Sequence, residues 1–167
     1  MKKLNYHFES HSFRIIDSDD GSSRALFDNN EGRAFIAERR KLYIIQDDKE
    51  ILYIGEAHSS INVRFQRACV SFNHFMKTGK ARGAYKGYKW LDRKENLSRK
   101  LRVSVAIFEE AYDAKEQRCI IEAIEGELVY RVRKELKYWP KFQNEIHFKD
   151  EPGARETASE IFERIKP

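Results

Sequence analysis

One glutamate, Glu125, stands among apolar residues on a predicted helix, which makes it the first candidate for chemistry in this sequence. The helix is predicted from about Ala114 to Lys137, where apolar residues recur at helical spacing. These residues are Ile121, Ile124, Leu128, Val132 and Leu136. At ~100° per residue, Glu125 lies roughly 40° from Ile121 and roughly 60° from Leu128 around the helix axis. Because a buried carboxylate costs free energy unless it is paired or binds a metal, Glu125 marks either a metal site or a charge at the edge of the stripe that pairs with an arginine.

Two tyrosines and two arginines earlier in the chain carry further reactive groups. Tyr43 and Tyr53 lie in two apolar runs that are rich in strand-forming residues. Arg64 and Arg67 are three residues apart on a predicted helix, so they share a face. Taken singly, the tyrosines are typical of core aromatics and the arginines of surface charges or phosphate contacts. Taken together with Glu125, they offer an anchored cation, a positive clamp and a way to activate water, which phosphodiester hydrolysis requires.

The segment between Asn62 and Arg102 concentrates the positive charge of the chain. Its twelve Lys and Arg residues face only Asp92 and Glu95, so it carries +10, whereas the whole chain carries +5. Aromatic residues are interleaved through it: Phe65, Phe72, Phe75, Tyr85, Tyr88 and Trp90. Cations and stackable rings on one segment favour a polyphosphate partner, because neutralised phosphates release their counterions. The alternative is a solvated lysine-rich surface, and the size of the charge favours nucleic acid.

Length and composition favour a single soluble domain. The chain has 167 residues, of which 41% are hydrophobic and 13% aromatic, enough for a packed core. No apolar run approaches the ~20 residues of a transmembrane helix, and Asn5, His7 and Glu9 interrupt any signal-peptide core. Cys69 and Cys119 are too few for a disulfide framework or a zinc site. We therefore expect a cytoplasmic protein that does not bind a membrane.

Local patterns predict the elements that would position these groups. Residues 41–45 and 51–55 indicate a β-hairpin with both faces covered, and residues 101–108 alternate like a third strand. Residues 13–17 are a further candidate strand in an N-terminal region that is otherwise hard to read. A first helix is predicted over 61–76, between serine N-caps and a stop at Gly79. Strands and helices in this order indicate an α+β architecture.

The second half of the chain carries three more expectations. Asp113, with Glu116 three residues later, resembles a capping box that would begin the long helix. The range Gln143–Phe148 is interpreted as a short edge strand. Pro152 suits the first turn of a last helix. The apolar stripe of that last helix is Ala158, Ile161, Phe162 and Ile165.

The hairpin and the first helix together resemble the GIY-YIG nuclease family. Leu42-Tyr43-Ile44 and Tyr53-Ile54-Gly55 resemble the two tripeptides on adjacent strands that give the family its name. The family's helix arginine follows the second tripeptide by eight or nine residues, usually three after an aliphatic residue. Arg64, three residues after Ile61, matches that position.

Two later elements extend the resemblance. The family's glutamate lies on a later helix, three residues before a leucine, and Glu125 precedes Leu128 in this way. An asparagine closes the family motif after a proline-containing stretch, and Asn144 follows Pro140. The resemblance spans about residues 41–148 with its elements in the family's order.

Three positions depart from the family pattern. Lys41 stands where the family has a glycine, Glu56 follows the second tripeptide where many members carry a lysine, and Ala68 stands where some members have a catalytic histidine. The loss of the glycine is expected to matter little, because it concerns backbone packing. The absent lysine and histidine concern the rate or the proton path.

The resemblance implies a particular fold and domain division. We expect a GIY-YIG-like three-stranded antiparallel central sheet flanked by helices, with N- and C-terminal extensions. Residues 1–40 would be the N-terminal extension, and 41–148 the nuclease domain. Residues 149–167 would form a C-terminal helix packed on that domain.

The resemblance also implies a metal-dependent endonuclease with assigned roles. Glu125 would hold one Mg²⁺ or Mn²⁺ through its carboxylate and waters, and that cation would stabilise the leaving 3′ oxygen. Arg64 would bind the scissile phosphate. Tyr43 would orient or deprotonate the attacking water, and Tyr53 would assist it.

Supporting residues and alternatives complete the prediction. Gly55 and Asn144 would support the site, while His58 and His74 are spare candidates for proton transfer. The partner would be DNA, with RNA possible, and the protein would be a monomer or a homodimer. A non-catalytic nucleic-acid-binding module and an RNA-cleaving relative are the alternatives to a DNA endonuclease. The predicted nucleic-acid contacts are Arg67, Lys77, Lys80, Arg82, Lys86, Lys89, Arg93 and Lys94.

Overall fold

One antiparallel sheet of five strands organises the protein, and helices lie on both of its faces. A computed structural model of the chain describes residues 2–17, 20–82, 88–91, 99–143, 146 and 148–167. The strands are β1 (Tyr6–Asp17), β2 (Ser23–Phe27), β3 (Lys41–Gln46), β4 (Ile51–Ala57) and β5 (Leu101–Phe108). Their order across the sheet is β2-β1-β5-β3-β4, so β4 lies at an edge. The predicted α+β class is confirmed.

The expectation of a three-stranded sheet is wrong, because the N-terminal region adds β1 and β2. The first part of β1 pairs with the whole of β5, from Tyr6 opposite Phe108 to Phe13 opposite Leu101. The strand is half exposed and carries polar residues such as Glu9 on its open positions, which obscures the apolar signal. Pairing with a strand about ninety residues later in the chain stabilises it, and a local pattern cannot report such a partner.

The hairpin β3–β4 and the strand β5 confirm the sequence prediction. Every residue of β3 is buried, as is nearly every residue of β4, as expected for strands with both faces covered. Alternation sends Tyr43 and Ile45 to one face of the sheet, whereas Leu42 and Ile44 go to the other. The two faces form two separate cores.

Helix α1 (Ile61–Thr78) covers the tyrosine face and has the predicted ends. The Ser60 hydroxyl accepts a hydrogen bond from the Val63 amide, which satisfies one of the free donors at the helix start. Gly79 ends the helix with φ 70°, a left-handed conformation that glycine adopts without steric cost. Phe65 anchors α1 in an aromatic cluster with Phe13 and Trp90.

Helix α2 (Arg118–Leu136) covers the opposite face and begins later than predicted. The proposed capping box at Asp113 is wrong: two short 3-10 helices occupy Glu110–Tyr112 and Lys115–Gln117 before α2 begins. The Asp113 carboxylate instead accepts a hydrogen bond from the Arg40 amide at 2.9 Å. A tertiary contact thus uses the side chain that the local pattern assigned to capping.

Helix α3 (Ala154–Ile165) packs on α2, and its predicted apolar stripe is buried. The helix begins two residues after Pro152, at an N-cap formed by Gly153 with φ 83°. A Cβ at Gly153 would lie 2.6 Å from the Lys2 carbonyl oxygen, so the chain approaches the N-terminus too closely there for a side chain. Among the described residues, no helix combines the length and the apolar character needed to cross a membrane.

The side chain of Gln143 covers part of the sheet edge at β4. The described residues of the range Gln143–Phe148 do not form a strand. The Gln143 side-chain amide instead accepts from the Ile54 amide at 3.1 Å and donates to the Ile54 carbonyl at 3.0 Å. Because the amide group reproduces the pairing of a neighbouring strand, it satisfies part of the exposed edge.

Candidate active site

The two motif tyrosines lie side by side over a glycine. Tyr43 is directly opposite Gly55 in the β3–β4 register, and the ring centroids of Tyr43 and Tyr53 are 5.8 Å apart. A Cβ at Gly55 would lie 2.7 Å from the Tyr53 ring and 2.8 Å from the Tyr43 hydroxyl. Any side chain at this position would displace the rings, so Gly55 supports the site by leaving room for them.

Arg64 reaches from the first turn of α1 to the hydroxyl of Tyr43. Its Nε donates to the Tyr43 hydroxyl oxygen at 3.1 Å, and its guanidinium carbon lies 5.7 Å from the ring centroid. Tyr43 is 1% exposed, so the ring itself cannot move without disturbing the core. The strand therefore orients the arginine. The structure brings Tyr43, Tyr53, Gly55 and Arg64 together.

Lys41 fixes the segment that leads into α1, a role that the sequence analysis did not assign to it. Its side chain is completely buried, and its Nζ lies 2.6–3.1 Å from the carbonyl oxygens of residues 37, 39, 58 and 59. Burial lowers the pKa of Lys41 to about 8, while the carboxylates of Asp113 and Glu56 oppose that shift. One ammonium group thus connects the segment before β3 to the segment that ends at Ser60.

Glu125 approaches the same edge of the sheet from the opposite face. Burial raises the pKa of Glu125 to about 8; the nearby Glu56 and Glu122 carboxylates raise it further, whereas Arg64 and Arg118 lower it. Within the described part of the chain, its carboxylate has no hydrogen bond or ion pair. Arg64 is therefore close enough to act on Glu125 electrostatically without neutralising it in an ion pair.

The two other carboxylates near Glu125 are engaged by cations. Glu56 accepts from the Arg40 guanidinium at 3.0 Å and lies 3.6 Å from Nε of Arg118. Glu122 lies 3.0 Å from the same Arg118 nitrogen and also pairs with Lys149. Glu56 and Glu122 thus both belong to a network of ion pairs that is joined by Arg118.

A divalent cation at Glu125 would have a single protein carboxylate among the described residues. No group of three or more His, Cys, Asp or Glu side chains in this part of the chain could hold a metal. Mg²⁺ suits such a site, because it keeps several waters and often binds through one or two carboxylates. The unpaired carboxylate and its acidic neighbours Glu56 and Glu122 fit a hydrated cation, which would favour the ionised form of Glu125.

The other candidate residues of the sequence analysis lie in the core, at the start of α1 and along that helix. Ala68 is buried in the core, where its methyl group makes apolar contacts. His58 lies 3.8 Å from Asp113 at the turn before α1, and His74 is on the distal half of α1. Arg67 and Arg82 line one pocket with Arg64.

Several predicted contacts are exposed or fall outside the described residues. Lys77, Lys80 and Lys89 are exposed, near the end of α1 and in a short 3-10 helix. The predictions that fall outside the described residues are Lys86, Arg93, Lys94 and Asn144. The neighbouring Gln143 is described, and its side-chain amide is hydrogen-bonded to Ile54 of β4.

Sequence reasoning could have found Lys41 but not Gln143. A lysine that opens a strand without polar alternation is as unusual as a glutamate in an apolar stripe, and the same argument applies to both. The pairing of Gln143 with a strand edge depends on where the chain returns after α2, and no local pattern carries that information.

No family model, no curated protein and no solved structure matches this chain.

Proposed function

We propose that this protein is a divalent-metal-dependent endonuclease that hydrolyses phosphodiester bonds in DNA, with a site of the GIY-YIG kind. The proposal rests on one observation: a positively charged side chain and an acidic side chain approach β4 from opposite faces of the sheet. Arg64, held by Tyr43, approaches from one face of the sheet, and Glu125, without an ion pair among the described residues, approaches from the other. A phosphate and a hydrated cation between them would complete the charge balance.

Arg64 would bind the scissile phosphate in this mechanism. Its terminal nitrogens can donate to two phosphate oxygens while Nε stays on the Tyr43 hydroxyl, so the tyrosine sets the angle of the clamp. The guanidinium stabilises the negative charge that grows on the phosphate oxygens as water adds to phosphorus and the bond to the 3′ oxygen breaks. Because α1 is fixed by Lys41 and Ser60, little reorganisation is needed at that moment.

Glu125 would contribute the metal-binding group. A Mg²⁺ or Mn²⁺ ion bound there supplies charge neutralisation at the phosphate and stabilises the leaving oxygen. Glu125 itself anchors that charge on a rigid helix, and Glu56 and Glu122 increase the local negative potential. Arg40, Arg118 and Lys149 keep these two neighbours engaged, which leaves Glu125 as the available ligand.

The tyrosines would position the water. The Tyr43 hydroxyl uses a lone pair to accept from Arg64, so its own proton and second lone pair remain for the attacking water. Tyr53 lies beside it at the edge strand and is the more exposed of the two rings. We assign Tyr43 to orienting or deprotonating the water and Tyr53 to assisting it.

A plasmid-nicking assay tests the proposal. Supercoiled DNA is incubated with the protein in Mg²⁺, in Mn²⁺ and in EDTA, and the relaxed and linear products are measured. We expect nicking in either metal and none in EDTA. The matched control is Glu127→Gln, because Glu127 lies on the same helix and faces Arg155 at 3.7 Å rather than the site. Cleavage in EDTA would contradict the metal mechanism.

The alternative function is a nucleic-acid-binding module without catalysis. The buried Ala68 and the paired Glu56 favour it, because two positions that carry polar groups in many relatives of the proposed kind have no such role here. A gel shift without nicking in any metal would support the module. Nicking of an RNA duplex but not of DNA would support the RNA-cleaving alternative.

A further inference from the structure

Three arginines and a buried serine converge beside the candidate active site. Arg64, Arg67 and Ser71 follow one another at spacings of three and four on α1, so they share one face of the helix. The chain turns back after Gly79 and brings Arg82 to the same face. The open pocket between them has a volume of about 500 Å³. Its lining residues are Arg64, Gln66, Arg67, Val70, Ser71 and Arg82.

Ser71, Arg67 and Arg82 have no hydrogen bond or ion pair with a described residue. Ser71 is only 8% exposed, and within the described ranges its hydroxyl has no hydrogen bond. Because Ser71 lines the open pocket, its hydroxyl is available to a ligand bound there. Arg67 and Arg82 likewise have no ion pair with any described residue. The described lining of the pocket therefore combines three arginines and an available hydroxyl, and none of these described residues carries a carboxylate.

We infer that this pocket binds an internal phosphate of the nucleic-acid strand, next to the phosphate held by Arg64. The inference rests on the proposed function and assigns the neighbouring contact of the same substrate. Arg64 and Arg67 lie about one turn apart on the same face of α1, so two neighbouring phosphates of one strand can each be reached by one of these long side chains. Consecutive phosphates of one strand can thus meet Arg64 and the pocket. Arg67 and Arg82 supply charge, and Ser71 donates a hydrogen bond.

Binding in EDTA tests this assignment without any cleavage. The affinity of a fluorescent DNA duplex is measured over a range of salt for the wild type, Arg67→Gln, Arg82→Gln and the double variant. Each single variant should bind about five- to tenfold more weakly at 0.1 M salt, with a log–log slope reduced by up to ~0.9. Because both arginines contact one phosphate, the double variant should lose ~0.9 in slope rather than ~1.8. A loss of ~1.8 would overturn the single-phosphate pocket.

Ser71→Ala tests the contribution of the hydroxyl to DNA affinity separately from the contribution of the charges. The neutral hydroxyl releases no counterion, so affinity should fall roughly tenfold while the salt slope stays that of the wild type. The matched control is Arg14→Gln, an exposed arginine on β1 far along the chain, which should bind like the wild type. Wild-type affinity for Ser71→Ala and both arginine variants would overturn the inference.

The ends of the duplex identify the source of the phosphate. Duplexes with 5′-hydroxyl and with 5′-phosphate ends should give the same difference between the wild type and Arg67→Gln. A difference seen only with 5′-phosphate ends would overturn the internal assignment. If the wild type never cleaves but the pocket variants still lose affinity, the endonuclease proposal fails and the phosphate pocket stands. If the wild type cleaves and the variants bind normally, the pocket fails and the endonuclease stands.

Discussion

Lys41 on one side of the sheet and Glu125 on the other are two charged groups with opposite surroundings. Under α1, the ammonium of Lys41 is surrounded by four backbone carbonyl oxygens. Under α2, the carboxylate of Glu125 has no partner among the described residues, and its pKa is raised to about 8 by burial and by nearby Glu56 and Glu122. A satisfied buried charge indicates a structural role, whereas an unsatisfied one indicates a group reserved for a ligand.

Arg64 and Glu125 approach the edge strand β4 from opposite faces of the sheet, close enough to interact electrostatically but without an ion pair between them. Arg64 is oriented by Tyr43 on one face, and Glu125 remains on the other. A direct ion pair between the two would stabilise the free protein and occupy both groups. In the proposed mechanism, a phosphate and a cation would bind between these two groups.

The largest expected effect on the positive side comes from Tyr43→Phe. The change deletes only the hydroxyl, so the ring should keep its core packing and the protein should fold normally. We expect the single-turnover cleavage rate to fall by ~10²–10⁴-fold, the loss typical of a missing general base. Tyr53→Phe should lose less, because that hydroxyl only assists. Thermal melting provides the folding control, and a Tyr43→Phe protein that cuts within a few-fold of the wild type would remove Tyr43 from the mechanism.

A double-mutant cycle sharpens the same comparison. Because the Tyr43 hydroxyl orients Arg64, the effects of Tyr43→Phe and Arg64→Gln on the cleavage rate should be strongly non-additive. Simple additivity of the two losses would mean that the tyrosine does not act through the arginine.

Lys41→Met tests whether the buried ammonium is structural. The variant keeps an apolar stem but leaves the four carbonyl oxygens without their donor, so we expect it to lose about 2–4 kcal/mol of unfolding free energy at pH 7. The measurement is chemical denaturation. An equally stable variant would show that these contacts give no net support.

The pH dependence of the stability difference between the wild type and Lys41→Met gives a second test. The folded-state pKa of Lys41, about 8, lies below the ordinary value of 10.5, so the unfolded chain binds more protons between these values. Wild-type stability should therefore rise relative to Lys41→Met as the pH increases from 8 to 10.5.

Glu125→Gln should change the free energy of unfolding by less than Lys41→Met does, and in the opposite direction. The folded-state pKa of Glu125 is raised from 4.5 to about 8, so the native protein binds more protons than the unfolded chain in that window. Wild-type stability from this group is fully present below pH 4.5 and is lost as the pH rises through 8. At pH 9 the variant should be more stable than the wild type by about 2 kcal/mol, after allowance for partial exposure of the carboxylate.

Two controls accompany the stability measurement on Glu125→Gln: the addition of Mg²⁺ and the neighbouring variant Glu127→Gln. Mg²⁺ should stabilise the wild type and leave Glu125→Gln unchanged, because only the carboxylate binds it. Glu127→Gln should show neither effect, since Glu127 faces Arg155 at the surface. A Glu125→Gln protein that is less stable than the wild type at pH 9 would mean that the carboxylate is a structural charge.

Local features of this chain were predictable and long-range ones were not. The hairpin, the caps of α1 and the isolated Glu125 follow from residue types a few positions apart. β1 was underestimated because its partner β5 lies far along the chain. The start of α2 was misplaced because Asp113 bonds to Arg40 instead of capping a helix. Each error arose where a tertiary contact decided between local alternatives.

The most direct test of the account is the cleavage rate of Glu125→Gln in Mg²⁺, measured under single-turnover conditions beside Glu127→Gln. DNA affinity in EDTA is measured for the same proteins, since the partner proposed for Glu125 is the metal and not the phosphate. We expect Glu125→Gln to bind DNA like the wild type and to lose cleavage by at least ~10³-fold, while Glu127→Gln cuts normally. Cleavage by Glu125→Gln at the wild-type rate would contradict the assignment of Glu125 as the metal-binding group.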